Sequence, residues 1–123
     1  MSILVVDDNA GQRALLTDIL QDEGYGVETA TNGREALERL TEKTYALVLT
    51  DYAMPFMDGE TLIREMQRVA PSTPVLMVSG ESEATRRALD TRLSAYRNYK
   101  GFLAKPFELD AFYAAVRQAT GKE

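Results

Sequence analysis

Two hydrophobic rhythms alternate along the chain. Ile3-Leu4-Val5-Val6 is a short continuous apolar run, as expected of a strand buried on both faces. Over residues 10–21 the apolar positions Leu15, Leu16, Ile19 and Leu20 fall on one helical stripe that ends near Gly24. Residues 27–30 alternate like a half-covered strand. Asn32-Gly33 then turns into a helix with Ala36, Leu37 and Leu40 inward. Ala46-Leu47-Val48-Leu49 reads as a second buried strand, followed by a helix carrying Leu62, Ile63, Met66 and Val69 and ended by Pro71. Pro74 to Val78 is a third buried strand, residues 82–96 have helical character, and Phe102-Leu103-Ala104 is a short strand. Leu109, Phe112, Tyr113 and Val116 mark a last amphipathic helix. Five strand–helix units of this length predict right-handed crossovers and a parallel sheet covered on both sides. In such sheets the ligand crevice lies beyond the carboxyl ends of the strands.

Composition narrows the chemistry. The 123 residues fit one domain, expected over residues 1–120 with a short tail at 121–123 and no output domain. An apolar fraction of 45% is that of an ordinary globular protein. With no long apolar run and no leader-like N-terminus, a cytoplasmic location without membrane contact is expected. The chain has neither cysteine nor histidine, so thiolate chemistry, a serine–histidine triad and a histidine metal site are all excluded. The net charge of −5 argues against a general nucleic-acid-binding surface.

The residues at the strand ends are Asp7 and Asp8, Asp51, Ser79 and Lys105. Each has a plain structural role open to it: a helix cap for Asp8 or Asn9, a turn for Asp51 or Ser79, a solvated cation for Lys105. Together, however, three carboxylates, a hydroxyl and an ammonium would face one crevice. Two carboxylates about 4 Å apart repel by roughly 4 kcal/mol at an effective dielectric of 20. Three of them call for positive charge, supplied by Lys105 and a divalent cation; hard oxygen ligands suit Mg²⁺. Carboxylate nucleophile, metal, hydroxyl and lysine are the parts that phosphoryl transfer needs.

Over nearly its whole length the chain resembles the receiver domains of bacterial two-component response regulators. The resemblance is carried by Ile3-Leu4-Val5-Val6-Asp7-Asp8-Asn9, Ala30-Thr31-Asn32-Gly33-Arg34-Glu35-Ala36-Leu37, Thr50-Asp51-Tyr52-Ala53-Met54-Pro55-Phe56-Met57-Asp58-Gly59, Val78-Ser79-Gly80 and Lys105-Pro106-Phe107, in that order and spacing. It implies a flavodoxin-like (βα)5 α/β fold with strand order 2-1-3-4-5, a topology for which a chemotaxis receiver is a standing example. It implies that Asp51 accepts the phosphoryl group and that Asp8, Asp51 and the backbone carbonyl of Ala53 ligate Mg²⁺, with Asp7 acting through a water. Ser79 would bind a phosphoryl oxygen, Lys105 would pair first with Asp51 and then with the phosphoryl group, and Lys105-Pro106 would be cis. Phe102 would be the aromatic switch. The implied donor is a histidine kinase or histidine phosphotransfer protein. A downstream protein would meet the fourth helix, fifth strand and fifth helix, and the chain would catalyse only its own phosphorylation and dephosphorylation.

Met54-Pro55 and Asp58-Gly59 are read as backbone devices: Pro55 fixes φ, Gly59 accepts positive φ where required, and Asp58 caps a helix. The chain departs from the family in the 25 residues between Ser79 and Lys105, more than is usual, and in Ala53, which offers no polar side chain to an attacking water. Glu81 is a candidate to orient that water instead. Residues 86–100 carry Arg86, Arg87, Arg92, Arg97 and Lys100 against Asp90 alone, with Ala88, Leu89, Leu93 and Tyr96 at helical spacing. That predicts a basic outer face able to steer an acidic partner, or simply a solvated surface. A Mg²⁺-dependent phosphohydrolase with an aspartyl nucleophile is the alternative, disfavoured by the lack of length for a cap. A dinucleotide-binding domain fails at Asp7-Asp8-Asn9-Ala10-Gly11, which has no glycine-rich phosphate loop.

Overall fold

Strands and helices alternate through the computed structural model, which describes residues 2–121: β1 (Ser2–Val6), α1 (Ala10–Asp22), β2 (Gly26–Ala30), α2 (Gly33–Glu42), β3 (Leu47–Thr50), α3 (Gly59–Val69), β4 (Val75–Ser79), α4 (Glu83–Leu93), β5 (Tyr99–Ala104) and α5 (Leu109–Thr120). The strands form one parallel sheet in the order β2-β1-β3-β4-β5, the flavodoxin-like arrangement expected. Alternate strand residues feed two cores. Leu4, Val6, Val48, Val75 and Met77 pack with Ala36, Leu40, Leu62, Ile63, Met66, Leu89 and Leu93 of α2, α3 and α4. Ile3, Val5, Leu47, Leu49, Leu76 and Val78 pack with Leu16, Leu20, Phe112 and Val116 of α1 and α5. That double burial is why β1, β3 and β4 are unbroken apolar runs.

Several helix starts are built by one device. The side chains of Asn9, Asn32, Asp58 and Ser82 accept hydrogen bonds from the backbone N–H three residues on, which caps α1, α2, α3 and α4. Asn9, not Asp8, is therefore the cap of α1.

Some boundaries differ from the sequence reading. Strand β5 begins at Tyr99, three residues before the expected Phe102, and helix α4 stops at Leu93 instead of residue 96. The reason is an irregular pairing: Val75 faces Tyr99 but Met77 faces Phe102, so β5 carries one extra residue, absorbed at Gly101 with φ 133°. Leu15, Ala88 and Leu109, expected to point inward, lie on exposed faces, because α1, α4 and α5 each rest on the sheet along a narrower stripe. Gly121, the first residue of the expected tail, is the left-handed C-cap of α5, with φ 75°. Lys122 and Glu123 lie outside the described residues.

Candidate functional site

The sheet delivers the strand-end residues to one place by continuing its ladders one step past the strands. The Asp51 N–H donates to the Val6 carbonyl at 3.1 Å, setting Asp51 beside Asp7, and the Lys105 N–H donates to the Ser79 carbonyl at 2.9 Å. Asp7, Asp8 and Asp51 each present a carboxylate oxygen within 4.8 Å of the others. Lys105 Nζ stands 3.5 Å from Asp7 Oδ2 and 3.9 Å from Asp51 Oδ2. The lysine thus bridges two carboxylates, closer to Asp7 than to the Asp51 partner expected of it.

The three carboxylates sit in different surroundings. Asp7 is buried, and burial pushes its pKa up, opposed by the Asn9 N–H at 2.9 Å and by Lys105. Asp8 is exposed, because Asn9 takes the capping role and leaves its carboxylate free of the helix. Asp51 is half-buried, with Oδ1 accepting from the Tyr52 N–H at 2.7 Å. Ser79 is buried, and its Oγ has no hydrogen-bond partner among the described residues. A buried hydroxyl left unpaired costs free energy, which marks Ser79 as a candidate for a role in the site.

The loop between β3 and α3 closes tightly behind Asp51. The Gly59 N–H donates to the Tyr52 carbonyl at 2.8 Å, and a β-carbon on Gly59 would come within 2.4 Å of the Asp51 carbonyl oxygen and 2.9 Å of Met77 Sδ. Gly59 is required for space, and its tolerance of positive φ is not called on; the positive-φ non-glycine residue of this loop is Phe56, at 71°. Asp58 caps α3 through Thr61 at 2.8 Å, as expected. Ala53 is exposed at the mouth, and Phe102 is half-buried against the α2–α3–α4 core. The Lys105–Pro106 bond is cis.

Two participants went unnoticed in the sequence. Arg13 Nη1 donates to the Asp7 carbonyl at 2.7 Å, holding the first acidic loop against α1. Asn98 is buried, donates to the Thr73 carbonyl at 3.0 Å and accepts from Gln67 at 2.7 Å, which anchors the long stretch before β5. Arg92 reaches across to Glu60 at the start of α3 with two contacts of 3.0 and 2.9 Å. Arg at the second turn of a helix and Asn in a loop are too common for sequence to single out. The expected basic face is accordingly less free than its composition: Arg92 is engaged by Glu60 and Arg87 by Glu83 at 2.6 Å, while Arg97 and Lys100 lie beyond the helix.

Among the described residues no helix is long and apolar enough to cross a membrane. A family model described as "Response regulator receiver domain" matches residues 3–117. The transcriptional regulatory protein GlrR of Escherichia coli is 36% identical over 117 residues, covering 95% of this chain and 26% of GlrR. A CpxR homologue of Haemophilus influenzae is 40% identical over 115 residues, 94% of this chain and 48% of the relative. The chain thus spans about a quarter to a half of these relatives. Among solved structures, the response regulator TrrA of Thermotoga maritima, crystallised with Mg²⁺ and BeF, has a TM-score of 0.83 at 32% identity, covering 97% of this chain and 99% of TrrA. These matches favour a receiver over the phosphohydrolase alternative.

Proposed function

Because the chain belongs to the response regulator receiver domain family, the phosphoacceptor modules of two-component signal transduction, we propose that Asp51 is its phosphoacceptor and residues 1–120 its phosphoacceptor unit. The observation that carries this reading is the Asp51 carboxylate, held between two other carboxylates and Lys105. The unpartnered hydroxyl of Ser79 supplies the remaining element. The donor is a phosphohistidine of a kinase or phosphotransfer protein, and the setting is the cytoplasm.

An oxygen of Asp51 attacks phosphorus, the P–N bond to the donor imidazole breaks, and the electron pair leaves with the imidazole, which takes up a proton. The product is a mixed anhydride on Asp51. Lys105 exchanges its carboxylate partners for a phosphoryl oxygen, and the Ser79 hydroxyl donates to another, satisfying its buried oxygen. The residues fit Mg²⁺: three hard carboxylates converge where one lysine leaves negative charge in excess. Asp8, Asp51 and the Ala53 carbonyl would hold it, with Asp7 alongside. When bound, the cation neutralises charge on the transferred group. Glu81, half-buried two residues past Ser79, orients the water that later hydrolyses the anhydride.

The test is labelling by acetyl phosphate with Mg²⁺, read by mass. Wild type should gain one base-labile phosphoryl group and Asp51→Asn none, because an amide is a poor nucleophile. Asp8→Asn should weaken Mg²⁺ binding in a titration, whereas Asp58→Asn, at the α3 cap, should not. Labelling of Asp51→Asn at another site would refute the assignment.

A further inference from the structure

The loop that carries Asp51 contains a residue whose placement works against the stability of the isolated chain. Phe56 is 95% exposed, and its φ of 71° lies in the left-handed region. An aromatic residue there is disfavoured by its β-carbon, where glycine is not. The Met57 N–H donates to the Pro55 carbonyl at 2.8 Å, so Phe56 is the centre of a γ-turn of the positive-φ hand, the rarer and more strained of the two. Its ring gains no burial in return.

The neighbours explain why the strain persists. Met57 packs against Gly33 at the start of α2, where an added β-carbon would lie only 2.6 Å from its sulfur. Gly59 is pinned to Tyr52 and seated on the Asp51 carbonyl. With both flanks fixed, the turn projects residue 56 outward whatever its side chain. Nothing in the fold selects phenylalanine there, which directs attention to a state other than the isolated chain.

The position says which state. Among the described residues the exposed large hydrophobics are Leu15, Phe56 and Leu109. They follow β1, β3 and β5 in turn, the strands immediately followed by Asp7, Asp51 and Lys105. Any protein that brings a phosphohistidine to Asp51 must cover the loop on which Phe56 stands, five residues away. We propose that Phe56 is a docking and specificity residue for the phosphodonor protein, inserting its ring into an apolar site beside the donor histidine. Aromatic anchors contribute disproportionately to such contacts, and a ring pre-fixed by a rigid turn loses little freedom on binding.

This rests on Asp51 being the acceptor, and two donors separate the two claims. Wild type, Phe56→Gly and Phe56→Leu would be compared with acetyl phosphate, which has no protein surface, and with purified autophosphorylated histidine kinases of the source organism, using the fastest donor to wild type. Phe56→Gly should melt no lower than wild type and accept from acetyl phosphate at the wild-type rate. It should lose about tenfold in kcat/KM with the kinase, through KM. Phe56→Leu should recover part of that loss. An unchanged KM for Phe56→Gly overturns the docking role, as does a wild type that takes phosphoryl groups from acetyl phosphate but from no kinase. A wild type unlabelled by either donor overturns the acceptor assignment instead.

Discussion

The central strands and helix α4 are held in opposite ways. Every apolar side chain of β1, β3 and β4 is buried, and each contributes about 1.5–3 kcal/mol of transfer free energy. Of the residues of α4, only Leu89 and Leu93 are buried. Its remaining attachments are polar and exposed: Arg92 to Glu60, and Asp90 accepting from the Tyr99 hydroxyl at 2.5 Å. Exposed ion pairs are worth about 0–1 kcal/mol each. The three carboxylates thus follow the most deeply buried strands, β1 and β3, while α4 is held by few buried contacts and is expected to open at lower cost.

Damage to the rigid half should have the largest effect. Gly59→Ala forces a β-carbon onto the Asp51 carbonyl, a backbone atom that cannot step aside. Its destabilisation should reach the upper end of roughly 1–3 kcal/mol in urea unfolding. Asn98→Ala, which leaves the Thr73 carbonyl and the Gln67 amide short of a partner, should cost about 1–2 kcal/mol by the same measurement. Arg92→Gln should cost less than about 1 kcal/mol overall, yet raise amide exchange within α4 while leaving β1, β3 and β4 protected. Equal loss of protection in sheet and helix would show that the two are not separable.

The smallest effect is expected at the outer strand β2. Hydrogen bonds from Lys43 and Tyr45 hold the Glu28 pKa below its ordinary 4.5. Its contribution to stability is therefore complete above about pH 4.5 and is lost as pH falls through the lower folded value. Glu28→Gln should flatten the acid limb of the stability curve there and change little at neutral pH, as read by denaturant midpoints against pH.

What the sequence disclosed follows the same division. Strands buried on both faces are unbroken apolar runs, so β1, β3 and β4 and the residues after them were legible. The approach of Asp7, Asp8 and Asp51 followed from parallel pairing. The α4–β5 stretch was misjudged because its determinants are long-range and polar. Asn98 is buried by partners 25 and 31 residues away, and the onset of β5 depends on a register shift against β4. Gly59 was recognised as a backbone device, but the steric contact with Asp51 that requires glycine is a tertiary fact. Phe56 was not suspected, because φ at a single residue leaves no mark on hydrophobic periodicity.

The irregularity in β5 also bears on how copies of the protein behave in crowded solution. As the last strand of the sheet, β5 turns a row of backbone donors and acceptors outward, a template on which another chain could extend the sheet. Its extra residue, the glycine at φ 133° and the exposed Lys100 beside it break the even spacing that such a template needs. A straightened, uncharged edge would invite sheet-to-sheet growth into fibres. The bulge at Gly101 makes the β5 edge a poor template for such growth.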